Sequence, residues 1–221
     1  MKRKSTLSIL RETCRGICVK RLTNRLGAWH KRRYKTGFTL IELLIVIAVI
    51  VVLAGLILST FGYVQKKGAR ARVETEIAAM SAACESYKAD NGIYPANPDT
   101  NTVDARTNLD PSAAVYSAAS LFLYEQLAGV TSGSRSAIPS GKTYFTFKAN
   151  MLLPAPPSTA DITAIRDPFG NSYGYSTANQ ADPVTPKGYN PTFDLWSTAG
   201  IAPSPTPTPP ATQQNLWLKN W

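Results

Sequence analysis

From Leu43 to Leu58 the chain runs for sixteen residues without a charge. With the flanks Phe38–Glu42 and Ser59–Phe61 this becomes 24 residues with one charge, Glu42. A bilayer core about 30 Å thick is crossed by about 20 apolar residues in a helix. A helix buried in a soluble core would keep a polar stripe, and none is visible here. A secretory signal peptide would have a shorter apolar core followed by a small-residue cleavage site. The pattern therefore predicts a membrane-spanning helix. Its periodicity runs on: Val73, Ile77, Met80, Cys84 and Tyr87 recur at spacings of four, three, four and three, with Arg70, Arg72, Glu74, Glu76, Glu85 and Lys88 mostly between them. That is an amphipathic stripe, and Asn91-Gly92 is its stop. One helix from Phe38 to Asp90 results. Gly55, Gly62 and Gly68 lie inside it, either as weak points or as places of close helix packing.

Beyond the helix, Tyr94–Pro111 reads as loop from its Pro, Asn and Asp content. Ala113–Ala128 reads as a second helix ended by Gly129. Three strands are predicted: Lys142–Lys148, which alternates aromatic and polar residues, Asn171–Ser176 after the turn Asp167-Pro168-Phe169-Gly170, and Thr192–Ser197. Together they make an antiparallel meander packed on the apolar stripe, an α+β architecture. The run Ile201–Pro210, rich in Pro, Thr and Ser, reads as extended and poorly ordered. Trp217 and Trp221 are expected to dock back on the head and tie that run down.

Charge changes the picture. The chain has 24 Lys and Arg against 14 Asp and Glu, a formal +10. Residues 1–37 carry twelve of the basic residues and one acid, so they hold +11 and the remainder −1. The basic character belongs to the N-terminal segment, and no nucleic-acid partner is expected for the rest. The larger basic count before the apolar run, against Lys66, Lys67, Arg70 and Arg72 after it, places the N-terminus in the cytoplasm. Cys14, Cys18 and Cys84 read as unpaired thiols, without His partners at metal-site spacing.

Glu42 is the anomaly. A carboxylate near the start of an apolar span costs a few kcal/mol unless it is partnered. It either snorkels to the interface or pairs with a positive group on another chain.

The segment Lys35-Thr36-Gly37-Phe38-Thr39-Leu40-Ile41-Glu42-Leu43-Leu44-Ile45-Val46 resembles the N-terminal signal of type IV prepilins and type II secretion pseudopilins. The resemblance implies the pilin fold, a long N-terminal helix on a small antiparallel sheet. It also implies that a prepilin peptidase cuts after Gly37, that Phe38 becomes an N-methylated N-terminus, and that Glu42 neutralises the Phe38 amine of an adjacent subunit. The 37-residue leader is longer than is usual in that family. Asp167–Tyr173, Phe193–Ser197 and Asn220-Trp221 look like the C-terminal region of major pseudopilins. Those proteins carry a calcium loop with acidic ligands after the last strand. Here no Asp or Glu follows Asp194, so no calcium, other metal or cofactor is expected.

The organisation expected is a leader at 1–37, the membrane half of the helix at 38–62, its amphipathic half at 63–91, a periplasmic head at 92–201 and a Pro-rich loop and tail at 202–221. The function implied is that of a structural subunit of a type II secretion-like pseudopilus in the bacterial inner membrane. Its partners would be the prepilin peptidase, copies of itself, other pseudopilins, and the inner-membrane platform and ATPase. A type IV or competence pilus subunit, and a membrane-anchored binding protein that does not polymerise, are the alternatives. An enzyme is not expected: residues 38–221 have no His, no Gly-rich phosphate loop and no Cys/His pair.

Overall fold

A computed structural model describes residues 37–107, 110–185, 187–201 and 214–221. Residues 1–36, read from the sequence as a leader, and most of the Pro-rich run lie outside the described residues. The first helix, α1 (Leu40–Asn91), has 52 residues and runs through Gly55, Gly62 and Gly68 without a break. The chain divides within it into two units, one ending at Val49 and the other running from Ile50 to Trp221. Gly92 stops α1 with a φ of +80°, and its N–H returns to the carbonyl of Lys88 at 2.7 Å. Glycine adopts this left-handed cap without penalty.

The second unit is α+β. After α1 come α2 (Pro98–Thr102), α3 (Ala114–Ala128), a turn of 3-10 helix at Ala149–Met151, β1 (Leu152–Leu153), β2 (Ala164–Ile165), β3 (Gly174–Ser176), α4 (Ala178–Ala181), β4 (Asp194–Ser197) and β5 (Leu218–Lys219). β1 and β2 pair antiparallel, and β4 sits between β3 and β5 in a second antiparallel sheet. The predicted stripe is the packing face: Val73, Ile77, Met80 and Cys84 are buried against Leu123, Leu127, Ile165, Tyr173, Tyr175 and Leu195, and Tyr87 is partly buried beside them. A smaller cluster gathers Val103, Ala105, Tyr116, Ala119, Trp196 and Trp217.

Three elements differ from the sequence reading. Lys142–Lys148 is not a strand. Its Tyr144 and Phe145 N–H groups donate to the carbonyl of Leu127, in the last turn of α3. Helix carbonyls without intrahelical partners take these donors, while Phe147 packs on Tyr124 with ring centroids 5.2 Å apart. The third strand of the main sheet is Leu218–Lys219, in the tail. The region 94–111 holds α2, where Asn97 accepts from the Thr100 N–H and the Thr100 hydroxyl accepts from the Asn97 N–H, a capping box on either side of Pro98.

Candidate functional site

The N-terminal junction is built by a single turn of helix. Gly37 has open space around its Cα, and Phe38 is 82% exposed. Thr39 caps α1 and Glu42 is the third residue of its first turn. Glu42 Oε2 accepts from the Thr39 N–H and from the Thr39 hydroxyl, each at 3.1 Å, and the Glu42 N–H donates to Thr39 Oγ1 at 3.2 Å. This is a reciprocal capping box. Within one chain, then, the carboxylate serves the helix start one residue past Phe38, and its charge sits at the positive end of the helix dipole. The Thr39-x-x-Glu42 spacing is the sequence signal for it, whereas the sequence reading weighed only snorkelling to the interface and pairing with another chain for Glu42.

Beyond the cap, every large apolar side chain from Leu40 to Leu58 is more than half exposed. α1 is long and apolar enough to cross a membrane by length and composition.

The two C-terminal segments singled out in the sequence meet in the head. The Asp167 carboxylate accepts from the N–H groups of Phe169 (3.0 Å) and Asn171 (2.8 Å) and from the Ser197 hydroxyl. Burial pushes its pKa above the usual carboxylate range against those hydrogen bonds. The Asp167–Gly170 turn is thus fastened to the end of β4. Asn171 Nδ2 adds a bond to the Thr198 hydroxyl at 3.2 Å. Gly174 lies under the Trp196 indole so closely that a Cβ would stand 2.2 Å from Cε2.

The tail closes the same sheet. Asn220 N–H donates to the Leu195 carbonyl, and its side-chain oxygen accepts from the Leu195 N–H at 2.9 Å. Trp217 stacks parallel to Trp196 with centroids 6.0 Å apart, and Trp221 stacks on Tyr189 at 4.8 Å. The expected docking of both tryptophans is therefore present.

Chemically, the head offers packing and fixed hydrogen bonds. Cys84 is buried, and burial pushes its thiol up to about 12, so it stays protonated and weakly nucleophilic. Among the described residues no group of three or more Cys, His, Asp or Glu side chains is placed to hold a metal ion.

Comparison with known proteins points the same way as the junction. The family model for the prokaryotic N-terminal methylation motif matches residues 32–58. The chain is similar to type II secretion system core protein G of Vibrio cholerae serotype O1, 34% identical over 65 residues, which covers 29% of this chain and 44% of that one. It is 30% identical to the protein of the same name from Klebsiella michiganensis over 87 residues, 39% of this chain and 61% of that one. With the Escherichia coli K12 protein it shares 35% over 81 residues, 36% and 56% of the two chains. The chain thus spans less than two thirds of the length of these relatives. No solved structure matches it.

Proposed function

We propose that this chain, which is pseudopilin-like, is a structural subunit of a type II secretion-like pseudopilus. The observation that carries the reading is the junction itself. Gly37 and Phe38, both exposed, lead into a capped helix whose apolar side chains are exposed for several turns.

On this reading a prepilin peptidase cuts between Gly37 and Phe38, and Phe38 is N-methylated. The mature chain waits in the inner membrane as a single-pass protein, N-terminus on the cytoplasmic side and head in the periplasm. An ATPase-driven platform then extracts it. Copies of this chain, with other pseudopilins, stack through the apolar half of α1, so that helix contacts replace lipid contacts. Glu42 pairs with the Phe38 amine of a neighbour. A carboxylate in an apolar layer is tolerated when it is paired, and the Thr39 cap already holds it in a fixed rotamer. No catalytic step is assigned to the chain, and the similarity to secretion-system core proteins supports a mechanical role.

The test is intact-mass and N-terminal peptide mass spectrometry on membranes of the native host. A mature chain beginning at N-methyl-Phe38 is expected. Retention of residues 1–37 in cells with an active prepilin peptidase would sink the reading.

A further inference from the structure

Residues 38–221 hold twelve basic and thirteen acidic side chains, yet four of the twelve cations, Lys66, Lys67, Arg70 and Arg72, fall within seven residues that contain no acid. From residue 73 on, acids outnumber bases by four. The cations follow directly on the apolar run. Lys66 and Lys67 are exposed.

At about 100° per residue, Tyr63, Lys66, Lys67 and Arg70 project within a sector of about 100°. Ile77 and Cys84, which carry the head, fall in or beside that sector. Lys66 and Arg70 thus stand toward the head-bearing side of α1, with Lys67 on its flank, in the turns that follow the apolar run. The head contributes to the same place. Arg70 Nη2 donates to the Leu216 carbonyl at 3.2 Å, and this contact holds Leu216, 53% exposed, beside the cations. Tyr63 is 70% exposed. A tyrosine, a row of cations and an exposed leucine just past a membrane span is the composition of a headgroup-level contact: aromatic ring at the interface, cationic groups on phosphate, apolar side chain at the outer edge of the headgroup layer.

We propose that Lys66, Lys67 and Arg70, with Leu216 beside them, form a docking surface for anionic phospholipid headgroups on the outer face of the membrane. It would fix the height and orientation of the head while the subunit waits for assembly. The proposal rests on the reading of residues 38–62 as a membrane span. The acidic head of a second copy is the competing destination for these cations. Their place immediately after the apolar run favours lipid, because the side chains reach the headgroup layer of the bilayer that holds their own helix.

The experiment uses the full processed chain in non-ionic detergent micelles. Native mass spectrometry measures retention of added phosphatidylglycerol against phosphatidylcholine for the wild type, for K66Q/K67Q, and for K142Q/K187Q as a control that removes two cations from the head. The wild type and the control are expected to retain phosphatidylglycerol preferentially, and K66Q/K67Q to lose the preference by about tenfold or more. Equal preference in the wild type and K66Q/K67Q would overturn the proposal, as would an equal loss in the control. If K66Q/K67Q keeps its lipids but loses chemical cross-links between copies, the cations belong to a neighbour's head and the proposal fails. Alkaline carbonate extraction of native membranes separates the underlying reading: release of the chain into the soluble fraction removes the membrane span and the docking surface together. A chain that stays with the membrane yet is indifferent to lipid charge removes the docking surface alone.

Discussion

Tyr173 donates a 2.7 Å hydrogen bond from its hydroxyl to Glu76 Oε2, which joins the residue leading into β3 to a carboxylate on α1. The ring is buried and the acid half-buried. This bond lies beside the apolar stripe and fixes the rotation of α1 against the sheet. Tyr173→Phe removes the donor and leaves the acid half-buried, at an expected cost of about 1 to 2 kcal/mol. Unfolding of the head followed by fluorescence of Trp196, Trp217 and Trp221 reads it directly. An unchanged midpoint would show that the bond contributes nothing net.

Glu76 also sets a pH dependence. Burial raises its pKa above the ordinary 4.5, against the opposing pull of the Tyr173 hydrogen bond and the Arg72 charge. Asp167 and Asp194 are raised as well, chiefly by burial. An acid whose pKa is higher folded than unfolded binds its proton more tightly in the folded chain. The stability it contributes is complete below the unfolded value and is lost as pH rises through the folded one. The acids shifted downward, Asp90, Asp110 and Asp182, act with the opposite sign but lie at the surface, where solvent screens them. The head is therefore expected to melt at a lower temperature at pH 7.5 than at pH 5. Glu76→Gln should flatten that slope. A wild-type slope of the opposite sign would contradict the assignment.

Thr39→Ala deletes the hydroxyl half of the capping box. The helix start is expected to lose about 1 kcal/mol. The loss is local, so the readout is faster amide hydrogen exchange at Glu42 in micelles, with the head's exchange unchanged. Thr39→Ser should restore protection.

Gly174→Ala puts a methyl group into the Trp196 indole, with three ring atoms closer than 3 Å. Both residues are buried in paired strands, so neither yields freely. A destabilisation of about 3 kcal/mol is expected. Gly170→Ala offers a contrast: its φ of +101° is equally hostile to a side chain, but the nearest contact is the flexible end of Arg166 at 3.7 Å. Comparing the two separates collision from backbone strain.

Cys84 is the single cysteine after residue 37 and is buried, its thiol pushed up to about 12. Maleimide labelling of the processed chain is expected to be slow under native conditions and complete in denaturant. Its midpoint should coincide with that of tryptophan fluorescence, since Cys84 sits in the cluster that joins α1 to the head. Rapid native labelling would mean that α1 opens from the head independently.

The elements legible in the sequence were those with sustained periodicity. Val73 to Cys84 declared the packing face of α1, Asn91-Gly92 its end, and Ala114–Ala128 with Gly129 needed no tertiary information. Strands β3 and β4 were visible from their aromatic content and the turns before them. The alternation at Lys142–Lys148 misled because its rings pack on one another and on α3, which imitates the two faces of a strand. Strands of two residues, such as β1, β2 and β5, carry no readable period, and partners from distant segments define them. At the N-terminal junction it was the resemblance to prepilin signals that grouped Gly37, Phe38 and Glu42. The capping role of Glu42 was written in the Thr39-x-x-Glu42 spacing but was masked by the apolar run around it.

The main sheet takes its third strand from Leu218–Lys219, and one face of Trp196 is covered by Trp217. On the proposed topology the N-terminus stays on the cytoplasmic side and the head follows the span in chain order, so the strand bearing Trp196 would leave the membrane before the segment that finishes its sheet. Until residues 214–221 follow, the head is an open sheet with an uncovered indole. On that reading the timing of export becomes part of the folding problem, and the unfinished interval is when the head is most open to proteases and chaperones.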